Sequence, residues 1–222
     1  MCCNSHINII DAGIVSYGEM LRRQTDIFNE AVSLKKNRQR INETVFLVEH
    51  PPVYTIGKHG KENNMLVSEN HLRSQGLELF HINRGGDITF HGPGQLVVYP
   101  IIDLQKHSLG VKDYVNLLEE VVIRVLKEYN IIGERVEGAT GVWIDKGSPS
   151  ERKICAIGVK CSRFVTMHGL ALNVNTDLSY FSKINPCGFI DKGVTSVKSE
   201  TGSEISMQDV KEKFTRHFLS LI

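Results

Sequence analysis

Long apolar runs are missing from this 222-residue chain. None approaches the roughly 18 residues that a membrane helix needs, so no membrane association is expected. A charge excess of either sign is missing too: 26 Lys and Arg face 25 Asp and Glu, for a formal net charge of +1. Without a global basic surplus no nucleic-acid partner is expected, and any charged docking surface has to be local. The opening MCCNSHINII has neither a basic n-region nor a long apolar h-region, and it is not rich in arginine. Neither a secretory signal nor an organellar presequence is therefore expected. Cysteine is sparse and unpatterned. The five positions (Cys2, Cys3, Cys155, Cys161 and Cys187) are odd in number and follow no framework spacing. That usage fits free thiols in a reducing compartment, so the expected location is cytoplasmic. No Cys-x2-Cys pair occurs and no two histidines stand four residues apart, so no metal site is expected.

What is present alternates between helical and extended patterns without a regular order. HINIIDAG reads as a first strand, and SYGEMLRRQTDIFNEAVSLKK as a helix with Ser16 and Glu19 spaced as a capping box. Its apolar stripe is Tyr17, Leu21, Phe28, Ala31 and Leu34. ETVFLVEHPPVYTIG is an extended pair broken at Pro51-Pro52. SENHLRSQG is a short helix closed by Gly76, and LELFHIN a strand that delivers the chain into RGGD. KDYVNLLEEVVIRVLKEYN is the clearest helix, with Tyr114, Leu118, Val121, Val125 and Tyr129 on one face. From residue 134 to residue 174 antiparallel strands joined by turns are expected, then a helical turn at LSYFSKI. SMQDVKEKFTRHFLSLI reads as a terminal helix capped by Ser206 and burying Val210, Phe214, Phe218 and Leu221. Such a mixture predicts the α+β class.

Four stretches could carry chemistry. RGGDITFHGPGQLVVYP combines Gly85, Gly86, Gly92 and Gly94 with the polar groups of Arg84, Thr89, His91 and Gln95. No lysine and helix follow as in a phosphate loop, so it is either two turns around a strand or a loop lining a ligand. RKICAIGVK starts with Lys153 and ends with Lys160, both readable as solvated strand-end charges. In MHGLALNV, His168 reads more simply as a satisfied structural histidine than as a ligand. In NPCGF, Cys187 stands between a proline and a glycine, where a thiol is either a small apolar filler or a presented reagent.

Taken together, RGGDITFHGPGQLVVYPI, KICAIGVK, FVTMHGLALNVNTDL and INPCGF resemble the lipoyl(octanoyl) transferases, in that family's order and over nearly the whole chain. The resemblance implies a mixed β-sheet core flanked by helices, similar to the catalytic domain of biotin and lipoate protein ligases, in one domain over residues 1–222. It implies an octanoyl-acyl carrier protein as donor and, as acceptors, lipoyl domains of 2-oxoacid dehydrogenases and the glycine-cleavage H protein. It implies no cofactor. The family's nucleophile falls on Cys187 and its catalytic lysine on Lys153 rather than Lys160, a separation of 187 − 153 = 34 residues. Its substrate-binding positions fall on Arg84, Gly85, Gly86, Asp87, Ile88, Thr89, Phe90 and His91, on Ala156, Ile157 and Gly158, and on Gly169, Leu170 and Ala171. Some relatives carry serine where Ala156 stands, so only backbone groups are offered there. Cys155 and Cys161 match no functional position.

The implied chemistry suits these residue types. Thioester and amine react downhill to an amide, and a thiolate exchanges readily with a thioester while conserving its energy. A lysine ammonium beside Cys187 would favour the thiolate, and a partly buried, neutral Lys153 would take the proton of the attacking amine. Backbone N–H groups near Gly158 and Cys187 are the expected oxyanion donors, and the strands around Phe90 and Leu170 the expected acyl slot. The alternatives are an ATP-dependent ligase of the same fold, which needs no cysteine, and a non-enzymatic lipoyl-domain-binding module.

Overall fold

Residues 7–185 and 193–222 are described by the computed structural model, and among them eight strands form one mixed sheet and three a second. The chain opens with β1 (Asn8–Ile14), α1 (Tyr17–Lys36), β2 (Thr44–Glu49) and β3 (Val53–Ile56). Then come α2 (Glu69–Ser74), β4 (Glu78–His81), β5 (Ile88–His91), β6 (Gln95–Ile101) and α3 (Val111–Lys127). The second half holds β7 (Glu134–Val136), β8 (Ala139–Ile144), β9 (Arg152–Ser162) and β10 (Val165–Asn173), then β11 (Gly193–Val194), α4 (Val197–Thr201) and α5 (Met207–Leu221). The large sheet runs β1-β2-β6-β10-β9-β8-β7, with β11 added beside β9. Only β1–β2 and β9–β11 are parallel pairs in it. The small sheet runs β4-β3-β5. The sheet is therefore mixed and helix-flanked, as the α+β expectation required.

Burial on both faces explains why the central strands read as apolar runs. Val97, Tyr99 and Ala171 pack with Met20, Phe28 and Ala31 of α1, whereas Leu96, Val98, Leu170 and Leu172 pack with α3 and α5. Each fully buried aliphatic side chain contributes on the order of 1.5–3 kcal/mol relative to an exposed one. The helix starts are chemical. Ser16 Oγ accepts from Glu19 N, and Ser206 Oγ from Asp209 N. The reciprocal half of the first capping box is replaced: the Glu19 carboxylate pairs with Arg23 one turn on. The α1 stripe is also rotated from its expected line. Met20 and Gln24 are fully buried while Leu21 and Leu34 are half-buried, because Gln24 Oε1 accepts a hydrogen bond from His168 N of β10. No helix among the described residues is long and apolar enough to cross a membrane.

Candidate active site

Both sheets line a cavity of about 430 Å³. Its wall includes Arg84 to Thr89 and His91 from the β4–β5 loop and β5, Lys153 and residues 156–158 from β9, and residues 169–171 from β10. These stretches lie far apart in sequence and are joined by backbone packing. Gly85 N donates to Val159 O at 3.1 Å, and a Cβ on Gly158 would run into the carbonyl oxygen of Gly85. Glycine at 158 thus lets the 84–87 loop lie directly on β9. Arg84 points inward, its guanidinium donating to Thr55 O at 3.1 Å, Thr55 Oγ1 at 3.0 Å and Gly85 O at 3.0 Å. Phe90 does not line the cavity. Its ring is buried in the small-sheet core and stacks on Tyr180 with centroids 4.5 Å apart.

The flank beside β6 is a set of uncharged rings. His50 Nδ1 lies 2.6 Å from Val15 O and so carries the proton, leaving Nε2 to accept from the Tyr99 hydroxyl at 2.8 Å. Gln95 donates through Nε2 to Phe90 O and Asn173 Oδ1, so its Oε1 accepts from His91 Nδ1 at 2.8 Å. Tyr17 stacks on His91 with centroids 5.8 Å apart. Burial pushes His50 down to about 4 and His91 to about 3, the latter helped by His50 and Arg84 nearby. His168 is also lowered to about 3, by burial and then by Arg84 and Lys160. The expectation of a satisfied structural histidine is not met there. His168 sits at φ +61°, and its buried Nδ1 has no hydrogen-bond partner among the described residues.

The flank beside β8 carries the charge. Lys153 Nζ donates to Thr140 O at 3.2 Å and stands 4.5 Å over the Trp143 ring. Register slips here: Val142 faces Cys155 but Trp143 faces Lys153, so Ile154 is an extra residue that re-aims the lysine. Cys187 lies outside the described residues, as do Cys2 and Cys3. The chain on either side of residues 186–192 is described. Asn185 N donates to Asn64 O, and Asn64 Nδ2 reaches Asp87 Oδ2 at 2.5 Å, on the cavity loop. After the gap, β11 pairs Val194 with Lys153. Burial pushes the thiols of both described cysteines, Cys155 and Cys161, up, which disfavours their thiolate forms.

Sequence reasoning missed Tyr17, His50, Tyr99 and Thr140. Tyr17 and Tyr99 are indistinguishable from core aromatics in a one-dimensional pattern, and Thr140 acts through its carbonyl oxygen, which any residue supplies. His50 did carry a signal: a histidine ending an otherwise apolar strand just before Pro51.

A two-sheet core holding a glycine-walled cavity with one lysine at its edge is the lipoate and biotin ligase type of fold. An archaeal bipartite lipoate protein ligase from Thermoplasma acidophilum superimposes with a TM-score of 0.72 at 16% identity, over 97% of this chain and 84% of that one. Biotin protein ligase from Aquifex aeolicus follows at 0.51 and 12% identity, over 96% and 67%. Residues 27–219 match the Lipoyl protein ligase A/B catalytic domain, and the chain belongs to that family. It is 54% identical over 212 residues to an octanoyltransferase of Bacteroides fragilis, covering 96% of both chains. An octanoyltransferase of Parabacteroides distasonis is 52% identical, over 95% of this chain and 96% of that one.

Proposed function

We propose that this chain is an octanoyltransferase that takes octanoyl from an acyl carrier protein and delivers it to one lysine of a lipoyl domain through a thioester on Cys187. The carrying observation is how the chain is anchored around residues 186–192: it leaves beside the Asp87 loop and returns with Val194 paired to Lys153. A cavity of about 430 Å³ falls within the roughly 300–1,000 Å³ of small-molecule sites and offers room for an eight-carbon chain.

In the first half-reaction the Cys187 thiolate attacks the donor thioester carbonyl. The new C–S bond forms, the carrier's C–S bond breaks, and the departing thiolate takes a proton from Lys153. In the second, the acceptor amine attacks the acyl-Cys187 carbonyl, a C–N bond forms, and the C–S bond to Cys187 breaks. The neutral Lys153 amine takes the proton of the attacking nitrogen. Backbone N–H groups near Gly158 and Cys187 are the proposed oxyanion donors. No cofactor enters, and the proposed compartment is the cytoplasm.

Intact-mass measurement after mixing with octanoyl carrier protein tests this reading. An octanoyl adduct on Cys187 that disappears when a lipoyl domain is added is the expected result. An adduct mapping to Cys155 or Cys161, or octanoylation that requires ATP and free octanoate, overturns it.

A further inference from the structure

One buried carboxylate near the cavity has no part in the reaction as described. Glu119 sits in the middle of α3 and is only 6% exposed. It occupies a row otherwise made of Val115, Val122 and Leu126, where a charge is costly unless it is partnered. Its two oxygens are used differently. Oε2 accepts from Arg135 Nε at 3.1 Å, a cation whose side chain is 40% exposed. Oε1 accepts from Gly141 N at 3.0 Å, in a buried contact.

Gly141 N–H belongs to the same peptide unit as Thr140 C=O, the group that accepts from Lys153 Nζ. A peptide whose N–H donates to a carboxylate carries more negative charge on its carbonyl oxygen and is a stronger acceptor for an ammonium. The peptide also lies in a conformation that favours glycine. Gly141 has φ +122°, and a Cβ there would meet the carbonyl oxygen of Cys155. The carboxylate of Glu119 gives the Gly141 N–H a fixed acceptor on that side of β8. Trp143, whose ring lies under Lys153, is fixed separately, by donating from Nε1 to Ala139 O at 2.8 Å.

We infer that Glu119 is a positioning residue for Lys153, acting through the Thr140–Gly141 peptide to fix and polarise the carbonyl that holds the lysine nitrogen. The inference rests on the role proposed for Lys153 above. Arg135 balances the charge of Glu119 from the solvent side, while its Nη2 also donates to Glu120 Oε2 and Asn116 O.

Single-turnover acylation by octanoyl-pantetheine, followed by intact mass across pH, separates this from a structural role. Glu119→Gln keeps the side-chain volume and an oxygen for Gly141 N–H but removes the charge. It should slow acylation about tenfold, which is roughly 1.4 kcal/mol of barrier. The donor KM should stay unchanged. The pH–rate profile should move to lower pH, because removing a nearby negative charge disfavours a lysine ammonium. Arg135→Met breaks the ion pair but leaves the Gly141 contact, and should leave rate and profile as in the wild type. Thermal melts establish folding; if Glu119→Gln is unfolded at the assay temperature, Glu119→Asp, which keeps charge but shortens reach, should show a smaller loss of the same kind. A wild-type rate and profile in the folded Glu119 variant overturns the inference, as does an equal loss in Arg135→Met. Normal acylation by Lys153→Met would instead overturn the role of Lys153 itself.

Discussion

The two flanks of the cavity solve opposite electrostatic problems. Beside β6, three imidazoles are buried so that they remain neutral, and two of them hold a single tautomer through partners that accept or donate in one direction only. Beside β8, a cation is held at the cavity wall by a carbonyl oxygen and an aromatic face. The first flank is not free of charge altogether: the Arg84 guanidinium reaches it, and its nearness helps to keep His91 and His168 neutral. A thiolate and an attacking amine need the second flank.

The sharpest way to break this contrast is to remove the charged flank. Lys153→Met should abolish both half-reactions, a loss on the order of 10²–10⁴ expected for a general acid–base group. Lys153→Arg keeps the charge and should retain part of the cysteine acylation while losing most transfer to the acceptor amine. Single-turnover kinetics of each step reads this directly. Equal impairment of the first step by both substitutions would mean that charge is not what Lys153 supplies.

Next in size is the seam joining the flanks. Gly158→Ala puts a methyl group against the carbonyl oxygen of Gly85 and must push the 84–87 loop off β9. A displacement near 1 Å at a reacting centre costs up to about 10² in rate. Acylation should therefore fall by one to two orders of magnitude while the thermal melt changes little. An unchanged rate would separate the loop from the acyl site.

The neutral flank yields a pH signature. His50, His91 and His168 are lowered when folded, to about 4, 3 and 3, and return toward about 6.5 when unfolded. Below about pH 6.5 the unfolded chain binds more protons, so stability is complete above that value and falls on acidification toward pH 4. His91→Phe keeps a ring for Tyr17 to stack on and removes one of these groups. It should flatten the acid slope in urea titrations, at a neutral-pH cost of about 1–3 kcal/mol because Gln95 Oε1 loses its donor. A slope identical to wild type would assign the acid sensitivity elsewhere.

The two flanks were not equally legible in the sequence. Lys153, Arg84 and the glycines of the 84–94 stretch stand out because charge and glycine are rare enough on a strand or loop to need a reason. The helices were legible for the same cause: Ser16 and Ser206 sit at the caps their chemistry requires. Phe90 was misplaced because strand register decides which face a residue takes, and the β4–β5 loop hides that register. Glu119 was invisible as a partner of β8, although a carboxylate within an apolar helical row is a legible oddity. His168 was read as satisfied because the segments that bury its ring, and leave Nδ1 without a partner among the described residues, are remote in sequence and leave no local trace.

The contact between Gln24 and His168 gives the smallest and most discriminating test of the neutral flank. Gln24 is fully buried, its Oε1 accepts from His168 N at 3.2 Å, and its Nε2 has no hydrogen-bond partner among the described residues. Gln24→Leu removes the acceptor, leaving His168 N–H unpaired, a loss of about 1–3 kcal/mol. It also removes a buried, unsatisfied amide and replaces it with apolar volume against Met20 and Phe28, a gain of similar size. The two should nearly cancel, leaving stability within about 1 kcal/mol of wild type. Gln24→Ala lacks the second gain and adds a cavity, so it should cost about 2–4 kcal/mol. Denaturant unfolding of both variants measures the difference. If Gln24→Leu is as damaging as Gln24→Ala, the hydrogen bond to His168 dominates, and the left-handed backbone at that residue depends on a side chain from α1.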